Sequence, residues 1–111
     1  MKKQRTLNLV EKLKQNDVQE RIRSQFIKKN NIGPWVVELD PTTACNLACH
    51  DCISANLLNQ GGIDPVRLLK LADEFKEVGI KAVVLIGGGE PMAHKEFGNL
   101  VKAFSERNIH T

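Results

Sequence analysis

The sequence predicts an α/β fold: an N-terminal helical segment followed by two β/α units that share a parallel sheet. Three observations predict it. Apolar residues recur at helical spacing through residues 5–29. Two short strand-like runs, residues 35–39 and 81–86, flank an amphipathic helical stretch. The second run, Lys81-Ala82-Val83-Val84-Leu85-Ile86, is nearly continuous in apolar residues, which suits a strand buried on both faces, as parallel sheets require.

The elements follow in order. In the helical segment Leu9, Val10 and Leu13 share one face, and Val18, Ile22 and Phe26 another. Gln15-Asn16-Asp17 divides it, and Asp17 with Glu20 resembles a capping box that restarts the helix. Asn30-Asn31-Ile32-Gly33-Pro34 is turn chemistry. Trp35-Val36-Val37-Glu38-Leu39 is β-branched and aromatic and reads as the first strand, with Trp35 in the core and Pro41 as its stop. A loop runs to about Ile63. Asp64 is a good N-cap with Pro65 at the first helical position. Leu68, Leu71, Ala72 and Phe75 form an apolar stripe, and Gly79 is placed to end the helix. Gly87-Gly88-Gly89-Glu90-Pro91 stops the second strand. Met92 reads as packing and His94 as a helix-start residue. The last helix carries Phe97, Leu100, Val101 and Phe104 on one face, and Asn108-Ile109-His110-Thr111 approaches a third strand. A strand–helix–strand unit places both strand ends on one edge of the sheet, so the loops over residues 41–63 and 87–94 are expected to be neighbours.

Composition narrows the function classes. A chain of 111 residues is about one domain, and 41% hydrophobic residues exclude disorder by composition. No apolar run is long enough to span a membrane. The charged start Met1-Lys2-Lys3-Gln4-Arg5 is not a signal peptide. The three cysteines, all between positions 45 and 52, argue against a secreted disulfide framework and for a reducing, cytoplasmic setting with a metal or redox role. Residues 1–31 hold nine Lys or Arg against three Asp or Glu, a net +6, while residues 32–111 hold seven against ten, a net −3. With no aromatic interleaving and no dense basic run, the basic arm reads as the solvated face of a helix, not as a nucleic-acid site.

Two loops carry chemistry. Cys45, Cys49 and Cys52 are spaced C-x3-C-x2-C. Clustered thiolates are soft ligands for zinc or iron–sulfur centres. A structural zinc site takes four closed ligands, and His50, adjacent to Cys49, is awkwardly placed to be the fourth; His94 is the other candidate. Three thiolates on a cubane cluster leave one iron open to a small molecule. The second loop, Gly88-Gly89-Glu90-Pro91, matches neither a dinucleotide fingerprint nor a P-loop. Its glycines let backbone approach a ligand closely, and the carboxylate of Glu90 favours a cationic group such as an amine. Thr42, Thr43 and Asn46 suit either of two roles, loop formation or hydrogen bonding to cluster sulfurs. Asp40 suits either a turn or the site. His50 reads as a solvent-side residue.

With these motifs the chain resembles the radical S-adenosylmethionine (radical SAM) superfamily over about residues 35–110. C-x3-C-x2-C follows the first strand, and the G-G-E-P segment at 88–91 follows the second. The resemblance implies the first two β/α units of a partial, TIM-like parallel β/α barrel, with residues 1–33 as a basic helical extension and 34–111 as the N-terminal portion of the core. It implies a 4Fe-4S cluster on Cys45, Cys49 and Cys52, its open iron chelated by the amino and carboxylate groups of SAM, and Gly88, Gly89 and Glu90 holding the methionine amino group. It also implies one-electron cleavage of SAM to a 5′-deoxyadenosyl radical, and a flavodoxin or ferredoxin as electron donor. The family usually has an aromatic or other hydrophobic residue before the third cysteine, near the adenine; this chain has Asp51 there, a departure that affects the adenine surroundings more than the cluster. Two strands make an incomplete parallel sheet, so the sequence is expected to be part of a longer enzyme and, alone, to bind a cluster but turn over poorly. The other readings are an iron–sulfur electron-transfer module and a zinc-binding module, neither of which needs the glycine–glutamate loop.

Overall fold

A computed structural model describes residues 9–26 and 33–111. The chain divides into two compact units, Met1–Ile32 and Gly33–Thr111. Residues 5–8 and 27–29 of the predicted helical segment, the turn residues 30–32 and the side chains of Leu9 and Phe26 lie outside the described residues.

The described residues of the first unit form two helices, α1 (Leu9–Leu13) and α2 (Asn16–Phe26). The break falls at Lys14 and Gln15, one residue earlier than the sequence suggests. Asp17 is therefore inside the first turn of α2 and not its cap; its carboxylate accepts the adjacent Val18 N–H at 2.9 Å. Val10, Leu13 and Ile22 are exposed.

The second unit is mixed α/β. Strand β1 (Val36–Leu39) pairs in parallel with β2 (Ala82–Leu85), with Val37 opposite Val83 and Leu39 opposite Leu85. Between them runs α3 (Pro65–Glu77), and after β2 comes α4 (Phe97–Glu106). Both strands are a residue or more shorter than their sequence patterns. Trp35 precedes β1, half-buried, and its carbonyl accepts both Lys81 N–H and Ala82 N–H.

Local chemistry sets the helix ends. Asp64 Oδ1 accepts Val66 N–H and Arg67 N–H, both at 3.1 Å, and Pro65 fills the first position, where no amide is needed. At the other end Gly79, with φ of 81°, closes a Schellman motif: Ile80 N–H reaches Phe75 O and Gly79 N–H reaches Lys76 O. The motif repeats after α4. Asn108, with φ of 56°, takes the glycine's place, Ile109 N–H reaches Phe104 O, and Asn108 N–H reaches Ser105 O. In both cases the next residue, Ile80 or Ile109, is buried and starts a segment that joins the sheet edge. The second of these segments reaches β2, where Val83 N–H donates to His110 O at 2.7 Å and His110 N–H to Lys81 O at 2.9 Å. The predicted approach to a third parallel strand is present.

The core lies on one side of the sheet. Leu39, Leu68, Ala72, Ile80, Val83, Leu100, Phe104 and Ile109 are its buried hydrophobic members among the described residues, and Phe75 stacks on Phe104 with ring centroids 5.8 Å apart. The pleat explains the division: Val37, Leu39, Val83 and Leu85 face this core, and Val36, Glu38 and Val84 face away. The expectation that residues 81–86 are buried on both faces is therefore corrected. Val84 is 45% and Ile86 50% exposed, because helices cover only one face of the two strands. Met92 is corrected too: read as packing, it is 70% exposed.

Candidate functional site

Both strands end on one edge, and the loops that follow them meet there. The first loop closes at a neck. Thr42 bridges to Gly62, Ile63 N–H donates to Pro41 O, and Thr43 N–H donates to Gly61 O. The Thr43 hydroxyl donates to Gly61 O at 2.7 Å and accepts Gln60 N–H and Gly61 N–H, each at 2.9 Å. One donor and two acceptor positions are then all in use. The buried Thr42 hydroxyl accepts Ala44 N–H at 3.0 Å and faces Gly61 O at 3.4 Å. Of the two roles open to these threonines, the structure shows loop formation.

Asn59 completes the neck. Its backbone has φ of 59°, its N–H donates to Thr43 O, and its side-chain Oδ1 accepts Cys45 N–H at 3.1 Å. Asparagine tolerates this left-handed conformation better than most side chains do. Residues 44–58 thus form a lobe whose ends are held together, the geometry of a compact Ω-type loop. The lobe contains Cys45, Cys49 and Cys52, all free thiols, with Cys49 exposed and the other two half-buried. Leu47 N–H points at Cys45 Sγ at 3.4 Å. Cys52 N–H donates to Cys49 O at 3.4 Å. His50 is exposed, as its sequence context suggests, and so are Asn46 and Asp51. Among the described residues no group of three or more His, Cys, Asp or Glu is gathered closely enough to hold a metal ion; the three thiols share one lobe without converging.

The second loop is fastened to the first at three points. Gly88 N–H donates to Asp40 Oδ2 at 2.8 Å, and Glu90 N–H donates to Ala44 O at 2.8 Å. His94 Nδ1 accepts Glu96 N–H at 3.0 Å, which assigns the ring proton to Nε2, and Nε2 faces Ile63 O at 3.2 Å. The Glu90 carboxylate accepts Met92 N–H at 3.1 Å and so caps the 3-10 turn Pro91–Ala93. Gly89 lies against the backbone of the cysteine loop. A Cβ there would run into Ala44 O and come within 2.6 Å of Thr43 C and 2.7 Å of Thr42 O. Gly88 has room, its nearest such neighbour being Asp40 Oδ2 at 3.5 Å.

The family model described as the Radical SAM superfamily matches residues 39–111. The chain belongs to the radical SAM superfamily. No curated protein and no solved structure matches it. The matched part of this radical SAM chain starts at the last residue of β1 and takes in both loops and all of α3, β2 and α4.

The neighbouring glycines give a test of the contact between the loops. In this radical SAM chain, Gly89→Ala is expected to lower stability by about 1–3 kcal/mol, the range for forcing atoms into a packed contact. Gly88→Ala is expected to change it by less than about 0.5 kcal/mol, the range for substitutions that disturb no packed feature. Urea unfolding followed by far-UV circular dichroism measures both. Equal midpoints for the two variants would show that the loops do not touch at residue 89.

Two residues that sequence reasoning did not assign, Asn59 and Ala44, help to build the site, and so does His94, read from the sequence as a helix-start residue but lying ahead of α4, whose N-cap is Glu96. Asn59 had a signal, since asparagine in a polar turn is a candidate for left-handed backbone. His94 carries no sequence signal of its link to Ile63, which lies 31 positions away. Ala44 contributes only backbone groups, its N–H to Thr42 and its carbonyl oxygen to Glu90, which no residue type betrays.

Proposed function

We propose that this chain is the N-terminal part of a radical SAM enzyme that binds a 4Fe-4S cluster and S-adenosylmethionine and uses them to abstract hydrogen from a substrate. In this reading residues 34–111 are the first part of a parallel β/α barrel, to which the segment starting at His110 contributes a third strand. Residues 1–33, which include α1 and α2, are an extension that precedes it.

The observation that carries the reading is the hydrogen bond from Glu90 N–H to Ala44 O at 2.8 Å. It joins the acidic turn to the residue before the first cysteine, so the thiols and the carboxylate occupy one end of the sheet. The residues fit the group in kind, and the three thiols, which share one lobe, would have to draw together to hold it. Cys45, Cys49 and Cys52 supply three soft thiolates, one fewer than a closed four-ligand site takes, which leaves a coordination position for a small molecule. Leu47 N–H, already directed at Cys45 Sγ, is the kind of donor that tunes an iron–sulfur potential. Gly88 and Gly89 expose backbone, and the Glu90 carboxylate attracts the ammonium end of the methionine moiety. Asp51 offers backbone near the adenine.

Held by Cys45, Cys49 and Cys52 and by residues 88–90, the cluster and SAM would supply one-electron reductive cleavage of the sulfonium C–S bond to methionine and a 5′-deoxyadenosyl radical. The chain's own residues do the rest. The loop neck at residues 42–43 and 59–62 holds the ligand lobe to the end of β1. Residues 88–90 orient the amino acid, and the hydrogen bonds between the loops keep the two sets of groups in register. A flavodoxin or ferredoxin fits as electron donor.

Anaerobic reconstitution with iron and sulfide tests the reading. About four irons and four sulfides per chain are expected, as a cubane requires, and SAM is expected to change the electron paramagnetic resonance spectrum of the reduced cluster. Tetrahedral zinc in place of iron would make the chain a zinc module. A cluster whose spectrum ignores SAM would make it an electron-transfer module. Either result ends the proposal.

A further inference from the structure

The chain has three glycines before Glu90, and the G-G-E-P segment uses only the last two. Gly87 has φ of 153°, a conformation side chains rarely adopt, and a Cβ there would run into the Asp40 carboxyl group. The same carboxyl accepts the next amide, Gly88 N–H, at 2.8 Å. The two features are one contact. The residue after β1 reaches across the sheet edge and occupies the space that a side chain at 87 would fill.

Of the two roles the sequence allows for Asp40, a turn predicts that its carboxylate accepts the N–H two residues on. The amide of Thr42 is not its partner. Its bond runs instead to the amide of Gly88, 48 positions away. Asp40 is exposed, so this bond is not forced by burial. Gly88 is two residues before Glu90, and Glu90 is held by its own amide to Ala44 O. Asp40 and Ala44 therefore fasten the turn at both ends, and the stretch between them is the backbone of Gly88 and Gly89.

We propose that Asp40 is a positioning residue for the amino-acid end of SAM. By accepting Gly88 N–H it sets the peptide planes of residues 88 and 89, and Gly87 is glycine so that the Asp40 carboxyl can sit there. This rests on the SAM-binding reading above. The role depends on an acceptor oxygen and not on charge, so asparagine can take it over and alanine cannot.

Three proteins decide it: the unaltered chain, Asp40→Ala and Asp40→Asn, each reconstituted anaerobically. SAM affinity is measured by equilibrium dialysis, iron content by chemical analysis, and hydrogen exchange of the Gly88 amide by nuclear magnetic resonance on the cluster-free chain. Asp40→Ala is expected to weaken SAM binding about tenfold, the scale of one lost hydrogen bond. Asp40→Asn is expected to stay within about threefold, because it keeps an acceptor for the same amide. Iron content stays equal in all three. The Gly88 amide stays protected in the unaltered chain and in Asp40→Asn, and exchanges freely in Asp40→Ala. Unchanged SAM affinity in Asp40→Ala overturns the proposal. So does Asp40→Asn binding as weakly as Asp40→Ala, since charge would then be the active property. If the unaltered chain holds its cluster and binds no SAM, the SAM-binding reading fails and takes this inference with it. That result is recognisable because it appears before any substitution is made.

Discussion

Cys49→Ser is expected to strip the reconstituted chain of its cluster while leaving the fold intact. Cys49 is an exposed free thiol, and the structure gives its sulfur no hydrogen bond, so serine at this position costs the polypeptide little. The ligand chemistry changes completely. A serine hydroxyl is a hard oxygen that stays protonated near neutral pH, whereas the iron–sulfur centre takes soft thiolates. Loss of an outer-shell partner already costs about 10–100-fold in metal affinity, so loss of a ligand is expected to lower bound iron by at least about tenfold. Iron and acid-labile sulfide per chain are the measurement, with far-UV circular dichroism to show that the helices persist. Cys52→Ser is expected to behave in the same way. In Cys45→Ser the new hydroxyl can still accept Leu47 N–H, which now reaches the sulfur at 3.4 Å, so the lobe is kept and the metal is lost. Full iron content in Cys49→Ser would remove that thiol from the ligand set and, with it, the argument that three thiolates leave a position open.

Phe104→Ala is expected to abolish cooperative folding of the second unit. Phe104 is fully buried and stacks on Phe75 at 5.8 Å. It joins α4 to α3 in the core it shares with Val83, Leu68 and Leu100. Truncating a buried phenylalanine costs about 3–5 kcal/mol, part transfer and part cavity. Whole domains are stable by only about 5–15 kcal/mol, and a core of this size on one face of two strands belongs at the low end of that range. The loss also reaches the site. Both loops hang from β1 and β2, whose inward residues Val37, Leu39, Val83 and Leu85 pack on the same core. Urea titration followed by circular dichroism is the measurement, and the expected result is a broad transition with no native baseline. Val84→Ala is the contrast: Val84 is 45% exposed on the opposite face, and its loss is expected to cost less than about 1 kcal/mol, one or two partly buried methyls. A Phe104→Ala protein with an unchanged midpoint would mean that the core is held elsewhere.

The radical SAM assignment carries a lesson about which parts of the site are local. Asp64, Pro65 and Gly79 declare the ends of α3 because each acts on amides within a few positions of itself. The cysteine spacing and the glycine–glutamate run lie within single loops, so the sequence displays them whole. The parallel pairing of β1 with β2 also follows from order alone, because a helix lies between two strand patterns. Burial of residues 81–86 on both faces did not follow. That property belongs to whatever covers a sheet, and here α3 and α4 cover one side.

The residues themselves thus determined the order of the elements, the ends of α3 and the two chemical motifs, since each depends on neighbours a few positions apart. Only the tertiary structure decided how the motifs are joined. Asp40 to Gly88 spans 48 positions, Ile63 to His94 spans 31, and Cys45 to Asn59 spans 14. The reason is physical: a hydrogen bond between distant residues depends on where the folded backbone brings two groups, and neither side chain specifies its partner alone. Asp40 reads equally well as a turn former until the sheet edge sets it beside Gly87 and Gly88.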